Sequence, residues 1–350
     1  MALKLAIIGF GNQGQWHYDN ISERIPEIEI VGAYDIKQEK YEAMKTRGVR
    51  GFANPEEIWN CKDVDAVLVC TPNNFHKDYC IAAMRAGKHV VCEKPVCMNL
   101  SELDEVLAVA DETGLVFTVH QNRRWDADYR VVKNIIDNKI VGNPYFIDSR
   151  LFGCKGLPGD WRSCKATGGG MLYDWSVHLI DQMIDLVKSK PLSVYVEAIK
   201  VRFPEVDDCN RILVTFENGV HYQIIVDSWC YIGENRWHVC GDDGTAVVPH
   251  WGLTQGKVIK ANIKEIGWEE GFVFTSNGRS STMAPRPVEA LQEFDAPVPE
   301  IPEWEGFFRN FVDVVNGKAE LIVSHEESRL VMKIIDACFR SAENGTVEKI

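Results

Sequence analysis

Along this 350-residue chain the hydrophobic pattern changes rhythm, and the change divides it. In the first third, short and largely apolar runs at residues 3–8, 29–34, 64–70, 89–92 and 116–120 alternate with stretches of helical period at 14–24, 37–47, 75–85 and 101–113. Continuous apolar runs of strand length suit strands covered on both faces. Strands that alternate with helices predict a parallel sheet with helices on either side. Ser101 is the expected N-cap of the last of these helices.

After about residue 122 the apolar positions fall every second residue instead. A helix at 126–138 and a turn at Gly142-Asn143-Pro144 lead into period-2 segments at 145–151, 193–203, 211–216, 220–227 and 237–241. Glu217-Asn218-Gly219 and Asp242-Asp243-Gly244 have the residues of tight hairpins. The stretch 278–302 is rich in Pro and Ser and predicts a long loop; helices at 304–315 and 326–344 close the chain. The fold expected is α/β: a doubly wound parallel sheet over 1–122, then an α+β domain over 123–350 with a large, mostly antiparallel sheet.

Composition narrows the class. The chain is 45% hydrophobic and 25% charged, as a soluble globular protein is. Its formal net charge of −13 argues against nucleic acid as the main partner, because binding phosphate wants a basic face. It argues equally against an anionic membrane surface. No run approaches the length of a membrane span, and the apolar start is too short for a signal h-region, so a cytoplasmic location is expected. The eleven cysteines include no CxxC pair, which fits reduced thiols. With no HExxH and no zinc-spaced Cys/His cluster, no metal is expected.

The chemistry begins at Gly9-Phe10-Gly11-Asn12-Gln13-Gly14, a GxGxxG between a predicted strand and a predicted helix. The first glycine permits the turn, the second lets backbone approach a pyrophosphate, and the third lets helix and strand pack closely. Asp35 follows the last glycine by about twenty residues and ends the second strand. A carboxylate there accepts from ribose hydroxyls and repels a 2′-phosphate, so the expected cofactor is NAD rather than NADP, with Lys37 close by. Thr71-Pro72-Asn73, with His76, and Glu93-Lys94-Pro95 follow the next predicted strands. Ligands of open α/β sheets bind beyond the carboxyl ends of strands, so these segments are expected to face the cofactor.

Together these segments resemble the glucose–fructose oxidoreductase / inositol dehydrogenase (Gfo/Idh/MocA) family. The resemblance runs through Ala86-Gly87-Lys88-His89-Val90-Val91-Cys92-Glu93-Lys94-Pro95, Gln121-Asn122-Arg123-Arg124-Trp125, Trp161-Arg162, and Gly168-Gly169-Gly170-Met171-Leu172-Tyr173-Asp174-Trp175-Ser176-Val177-His178-Leu179-Ile180-Asp181. It implies a Rossmann domain at the N-terminus, bound NAD(P), a sugar or cyclitol substrate and a homo-oligomer. Asn122 joins the cofactor-facing residues, and Lys94, Asp174 and His178 are implied to be the catalytic group. In the family a small residue is usual between that Asp and His, where Trp175 stands here, which bears on substrate choice.

Oxidising a secondary alcohol needs a hydride acceptor and a base. His178 titrates in the right range for the base, and Lys94 can stabilise alkoxide character or, with a lowered pKa, take the proton itself. Spacing of i, i+4 puts Asp174 and His178 on one helical face, where Asp174 can orient His178, bind a sugar hydroxyl or cap the helix. Arg123 and Arg124 suit a substrate or cofactor group or a solvated pair; Trp161, Arg162 and Trp175 suit a sugar's C–H face and hydroxyls, or simple core packing; Tyr129 and His120 are weaker candidates. Segments 153–156 and 160–162 resemble glucoside 3-oxidising members, which points to C3 of a glucoside and a 3-keto product. The alternatives are an enzyme that retains NAD to cleave glycosides or shuttle hydride between sugars, and a non-catalytic NAD or sugar sensor.

Overall fold

The computed structural model describes residues 2–262, 271–282 and 288–350. The apolar runs of the first third form β1 (Leu3–Ile8), β2 (Ile28–Tyr34), β3 (Ala66–Val69), β4 (His89–Cys92) and β5 (Phe117–Val119), all parallel, in the order β2-β1-β3-β4-β5. Every residue of β3 is buried, as a strand covered on both faces requires. The helices between them are α1 (Asn12–Arg24), α2 (Glu39–Thr46), α3 (Pro55–Trp59), α4 (His76–Arg85) and α5 (Leu100–Thr113). A single parallel bridge from Ala33 to Gly51 adds a one-residue strand outside β2. Counting it, the spatial order becomes 3-2-1-4-5-6, the dinucleotide-binding arrangement. The switch point lies between β1 and β3, so the loops that follow them open onto one crevice.

One local expectation changes, and one helix is added. The helix at α5 is capped by Asn99, whose side chain accepts from the Glu102 amide, rather than by Ser101. The short α3 begins at Pro55 behind an Asn54 cap; five residues are too few to show a period.

The second part is built from α6 (Ala127–Asp137), β6 (Pro144–Phe152), α7 (Val177–Val187), β7 (Pro191–Ile199), β8 (Cys209–Phe216), β9 (His221–Asp227), β10 (Trp237–Gly241), β11 (Gly244–Val248), β12 (Lys257–Ala261), β13 (Gly271–Thr275), β14 (Gly278–Thr282), β15 (Leu291–Asp295), α8 (Gly306–Val315), α9 (His325–Asn344) and β16 (Glu348–Lys349). Nine strands make one sheet in the order β15-β12-β11-β10-β6-β9-β8-β7-β16, antiparallel except for β6 against β9. Val194, Val196, Ile212, Val214, Ile224 and Val226 alternate onto its buried face, beneath α7 and α9. The stretch expected as a long loop contains β14 and β15; β15 pairs with β12, a partner no local pattern reveals. Residues 283–287 of that stretch lie outside the described residues.

The chain's end returns to α5 of the first part. Asp336 of α9 accepts from the Leu100 amide at 3.1 Å, and Arg329 pairs with Asp104 at 2.6 Å. Among the described residues no helix is long and apolar enough to cross a membrane, and all eleven cysteines are free.

Candidate active site

The glycine loop is shaped by contacts that only glycine tolerates. Gly9 has φ +92°, and a Cβ on it would stand 2.6 Å from the Cys70 carbonyl oxygen. A Cβ on Gly14 would stand 2.1 Å from the Gly9 carbonyl oxygen, so α1 can sit against β1 only without one. A Cβ on Gly11 would meet nothing within 4 Å. Gly11 therefore keeps space free rather than relieving a clash. It is also the N-cap of α1, with no capping side chain and no acidic residue in the first turn. The positive helix end and its free N–H groups stay available to an anion. Asp35 closes the turn: one carboxylate oxygen accepts from the Phe10 amide and the other from the Lys37 amide, both at 2.8 Å. A carboxylate has about four acceptor positions, so two remain for ribose hydroxyls. These features fit a dinucleotide with its pyrophosphate over Gly11.

From this loop a cavity of about 640 Å³ runs past both strand-end segments to α7, a volume within the usual range of ligand sites. Its wall includes Gly9, Gly11, Asn12, Gln13 and Asp35 at one end and Thr71, Pro72, Asn73, Glu93, Lys94 and Asn122 along its length. At the far end stand Arg123, Trp161, Arg162, Asp174, Trp175 and His178.

There Lys94 is fixed twice. Its Nζ donates to the Asp174 carbonyl oxygen at 2.6 Å and to the Asp174 carboxylate at 2.9 Å. An ammonium has three donors, so one is left for a ligand. Asp174 stands in a π-helical turn (Leu172–Ser176) ahead of α7 rather than in the same regular helix as His178. Burial would push its carboxyl up, but Lys94 and Arg162 outweigh that and hold it below the usual range. Asp174 is therefore committed to Lys94, and Gln121 orients His178 instead. The Gln121 side-chain oxygen lies 3.1 Å from His178 Nδ1. Accepting there places the ring proton on Nδ1 and leaves the Nε2 lone pair unprotonated. Burial, then the positive Lys94 and Arg123, lower the His178 pKa well below its ordinary value, so the ring is neutral.

Four residues expected at the site stand outside the cavity wall. Phe10 is buried beneath the glycine loop and Gly14 is the packing contact of α1. The His76 ring is buried between the carbonyls of Thr71 and Pro95, 2.8 Å from each, tying the two strand-end loops together from behind. Arg124 is the clearest correction: it is buried, forked onto Asp181 at 2.8 and 2.7 Å, and also donates to Glu327 and the Ile322 carbonyl. Four of its five donors are spent on the protein, so it joins α7 to the start of α9 and stands away from the cavity wall. Of the weaker candidates, Tyr129 is buried against Asp185, while His120 lines the cavity.

Sequence reasoning missed Tyr34, Ile36 and Lys40, and it missed that His17 joins Glu93 and His120. Tyr34, Ile36 and Lys40 flank Asp35 in the wall, and their position beside that carboxylate is the signal that could have found them. His17, Glu93 and His120 approach within 4.8 Å of one another although far apart in the chain. Both rings end on the same Glu93 oxygen, His17 at 2.7 Å and His120 at 2.9 Å. The rings of Phe307 and Phe308 close the flank, so the cluster is two ring N–H donors on one buried carboxylate.

Comparison with known proteins agrees with this architecture. The family described as "Oxidoreductase family, NAD-binding Rossmann fold" matches residues 3–121, and "GFO/IDH/MocA C-terminal domain" matches residues 129–247. The crystal structure of an NAD-binding protein from Listeria innocua superposes with a TM-score of 0.94 at 38% identity, covering 100% of this chain and 99% of that one. The scyllo-inositol 2-dehydrogenase (NADP(+)) IolW of Bacillus subtilis is 27% identical over 97% of this chain and 94% of its own. The myo-inositol 2-dehydrogenase of Thermotoga maritima is 29% identical over 51% of this chain and 53% of its own. Glycine loop, crevice and sequence likeness together place the chain in the Gfo/Idh/MocA family of oxidoreductases, whose first domain binds NAD.

Proposed function

We propose that the protein oxidises a ring secondary hydroxyl of a sugar, glycoside or cyclitol with NAD. The observation that carries the reading is the arrangement around Lys94: an ammonium with one donor unspent, on the same cavity wall as a neutral His178. Bound in the crevice, NAD supplies the acceptor for the hydride leaving the carbinol carbon. His178 Nε2 takes the hydroxyl proton, while Gln121 holds the ring in the accepting tautomer. Lys94 donates to the reacting oxygen and stabilises the negative charge that grows on it. Asp174 keeps Lys94 aimed through two hydrogen bonds. Trp161 and Arg162 form the wall beside the ring, with the Arg162 guanidinium 4.4 Å over the indole. The likeness of residues 153–156 and 160–162 to glucoside 3-oxidising enzymes supports C3 of a glucoside within this class.

The test is initial-rate NADH formation on glucose, methyl glucoside, its 3-deoxy and 4-deoxy analogues, and myo-inositol. Turnover of the 4-deoxy but not the 3-deoxy glucoside supports C3, and the reverse overturns it. His178→Ala is expected to lower kcat by about 10²–10⁴-fold. In the wild type the rate should fall on the acid side, below the ordinary histidine value of about 6.5, because the ring must be neutral to act. A limb in the alkaline range instead, or a His178→Ala enzyme within tenfold of wild type, would make Lys94 the base.

A further inference from the structure

We infer that Trp251, together with Trp175 and Arg123, forms a subsite for a second ring glycosidically linked to the one that is oxidised, so that the substrate is a glycoside rather than a free monosaccharide. The inference rests on the sugar-oxidising reading and adds the substrate's other half to it.

Trp251 follows β11 and lies far in sequence from every other residue of the site. Its indole meets that of Trp175 edge to face, with centroids 5.4 Å apart, and Trp175 in turn lies 5.9 Å from the His178 ring. The Arg123 guanidinium lies 4.6 Å over Trp251 and 5.4 Å over Trp175, joining the two. Trp175 and Arg123 line the cavity and Trp251 does not; its contacts with both set it directly behind that stretch of wall.

The loop that carries it is pinned. Trp251 Nε1 donates to Asp126 at 2.8 Å, and the Gly252 amide donates to Asp128 at 2.9 Å, both at the start of α6. Arg123 also reaches Asp126, at 3.3 Å. An indole whose N–H is satisfied and whose ring is covered would be core packing. Here the N–H is satisfied, yet Trp251 remains 41% exposed. A rigid indole held at the rim of a sugar site offers an apolar face at little entropic cost, and a pyranose with axial hydrogens on one face, or an aryl ring, presents the matching surface. Arg123 spends one donor on Asp126 and its Nε has no partner, so it can also donate to a hydroxyl of the second ring.

The experiment is calorimetric titration of the full chain, saturated with NADH, with glucose, maltose, cellobiose and phenyl glucoside. The wild type is expected to bind one of the two-ring ligands about tenfold more tightly than glucose, the gain an added stacked ring can supply. Trp251→Ala should reduce that preference to about threefold or less, and Trp251→Phe should keep most of it. Which two-ring ligand is preferred distinguishes a sugar from an aryl partner. Absence of any preference in the wild type overturns the subsite, as does a Trp251→Ala protein that retains the preference or loses glucose and glycoside equally. Ligands that bind with the expected preference but yield no NADH in the companion assay with NAD would leave the subsite standing and overturn the oxidation. No binding of any sugar overturns both.

Discussion

Glu93 is a buried carboxylate that stays charged. Burial alone would push its carboxyl up, but His120 and His17 outweigh that and hold it well below the usual range. One oxygen accepts from both rings and from Gln13 at 3.2 Å; the other accepts from the Lys94 amide at 3.2 Å. Glu93 thus anchors the backbone that carries Lys94. Glu93→Gln keeps the shape but turns an amide group toward donors, so it is expected to cost about 1–3 kcal/mol in a urea melt at neutral pH. The pH dependence has a definite sign. The native pKa lies below the unfolded value of about 4.3, so the unfolded chain binds more protons between the two. Stability from Glu93 is complete above the unfolded value and is lost as pH falls through the native one. The gap between wild type and Glu93→Gln should therefore be constant near neutrality and narrow on acidification below about pH 4; a gap that widens there would show that the charge is not what stabilises. Glu93-Lys94-Pro95 was legible in the sequence, because it ends a strand. His17 and His120 as its partners were not, since a helix face and a later strand end meet only in the folded sheet.

The unit of β1, glycine loop and α1 separates two tasks that a motif scan merges. Gly14 serves packing, whereas Gly11 leaves space open where the proposed reading puts a pyrophosphate, and alanine at each should tell the two apart. Ala at Gly14 places a methyl 2.1 Å from a carbonyl oxygen, so α1 must move off β1; a loss of about 1–3 kcal/mol or more is expected, and NAD affinity falls with it. Ala at Gly11 meets nothing and sits at an extended backbone position. Its stability should stay within about 1 kcal/mol of wild type, while the methyl enters the space where a pyrophosphate approaches. NAD affinity measured by fluorescence titration should then drop by about tenfold or more, the equivalent of about 1.4 kcal/mol. Equal affinity in Gly11→Ala would mean that the phosphates lie elsewhere. At this scale the alternation of strand and helix was readable because β1, β3 and β5 are buried almost throughout. β11, β12 and β15 were less so: they are five-residue strands whose identity depends on pairing with one another. The π-helical turn holding Asp174 was equally hidden, because its spacing to His178 fits a regular helix.

Across the whole molecule, the cavity draws on residues from Gly9 to His178 and so spans loops of the parallel sheet and the approach to α7. A ligand that fills it binds the folded chain and not the unfolded one, so stability should rise with its concentration. NAD at about one hundred times its dissociation constant adds about 2.7 kcal/mol, or about 3–6 °C in Tm for a chain of this size. Unfolding the protein, removing what it releases and refolding it gives the reference free of ligand; a purified sample that melts higher than this reference already carries cofactor, as an enzyme recycling NAD in place would. The same melt decides cofactor choice. Asp35 holds the turn through two amides and keeps acceptor positions unspent; in the proposed reading these take the ribose hydroxyls, so a 2′-phosphate would meet a carboxylate and lose a hydrogen bond. NADP should therefore raise Tm less than NAD at equal concentration, and Asp35→Ala should shrink the difference. Lys37 and Lys40 line the same end of the cavity. If they govern recognition instead, NADP will match or exceed NAD in the wild type, and the preference for NAD read from Asp35 falls.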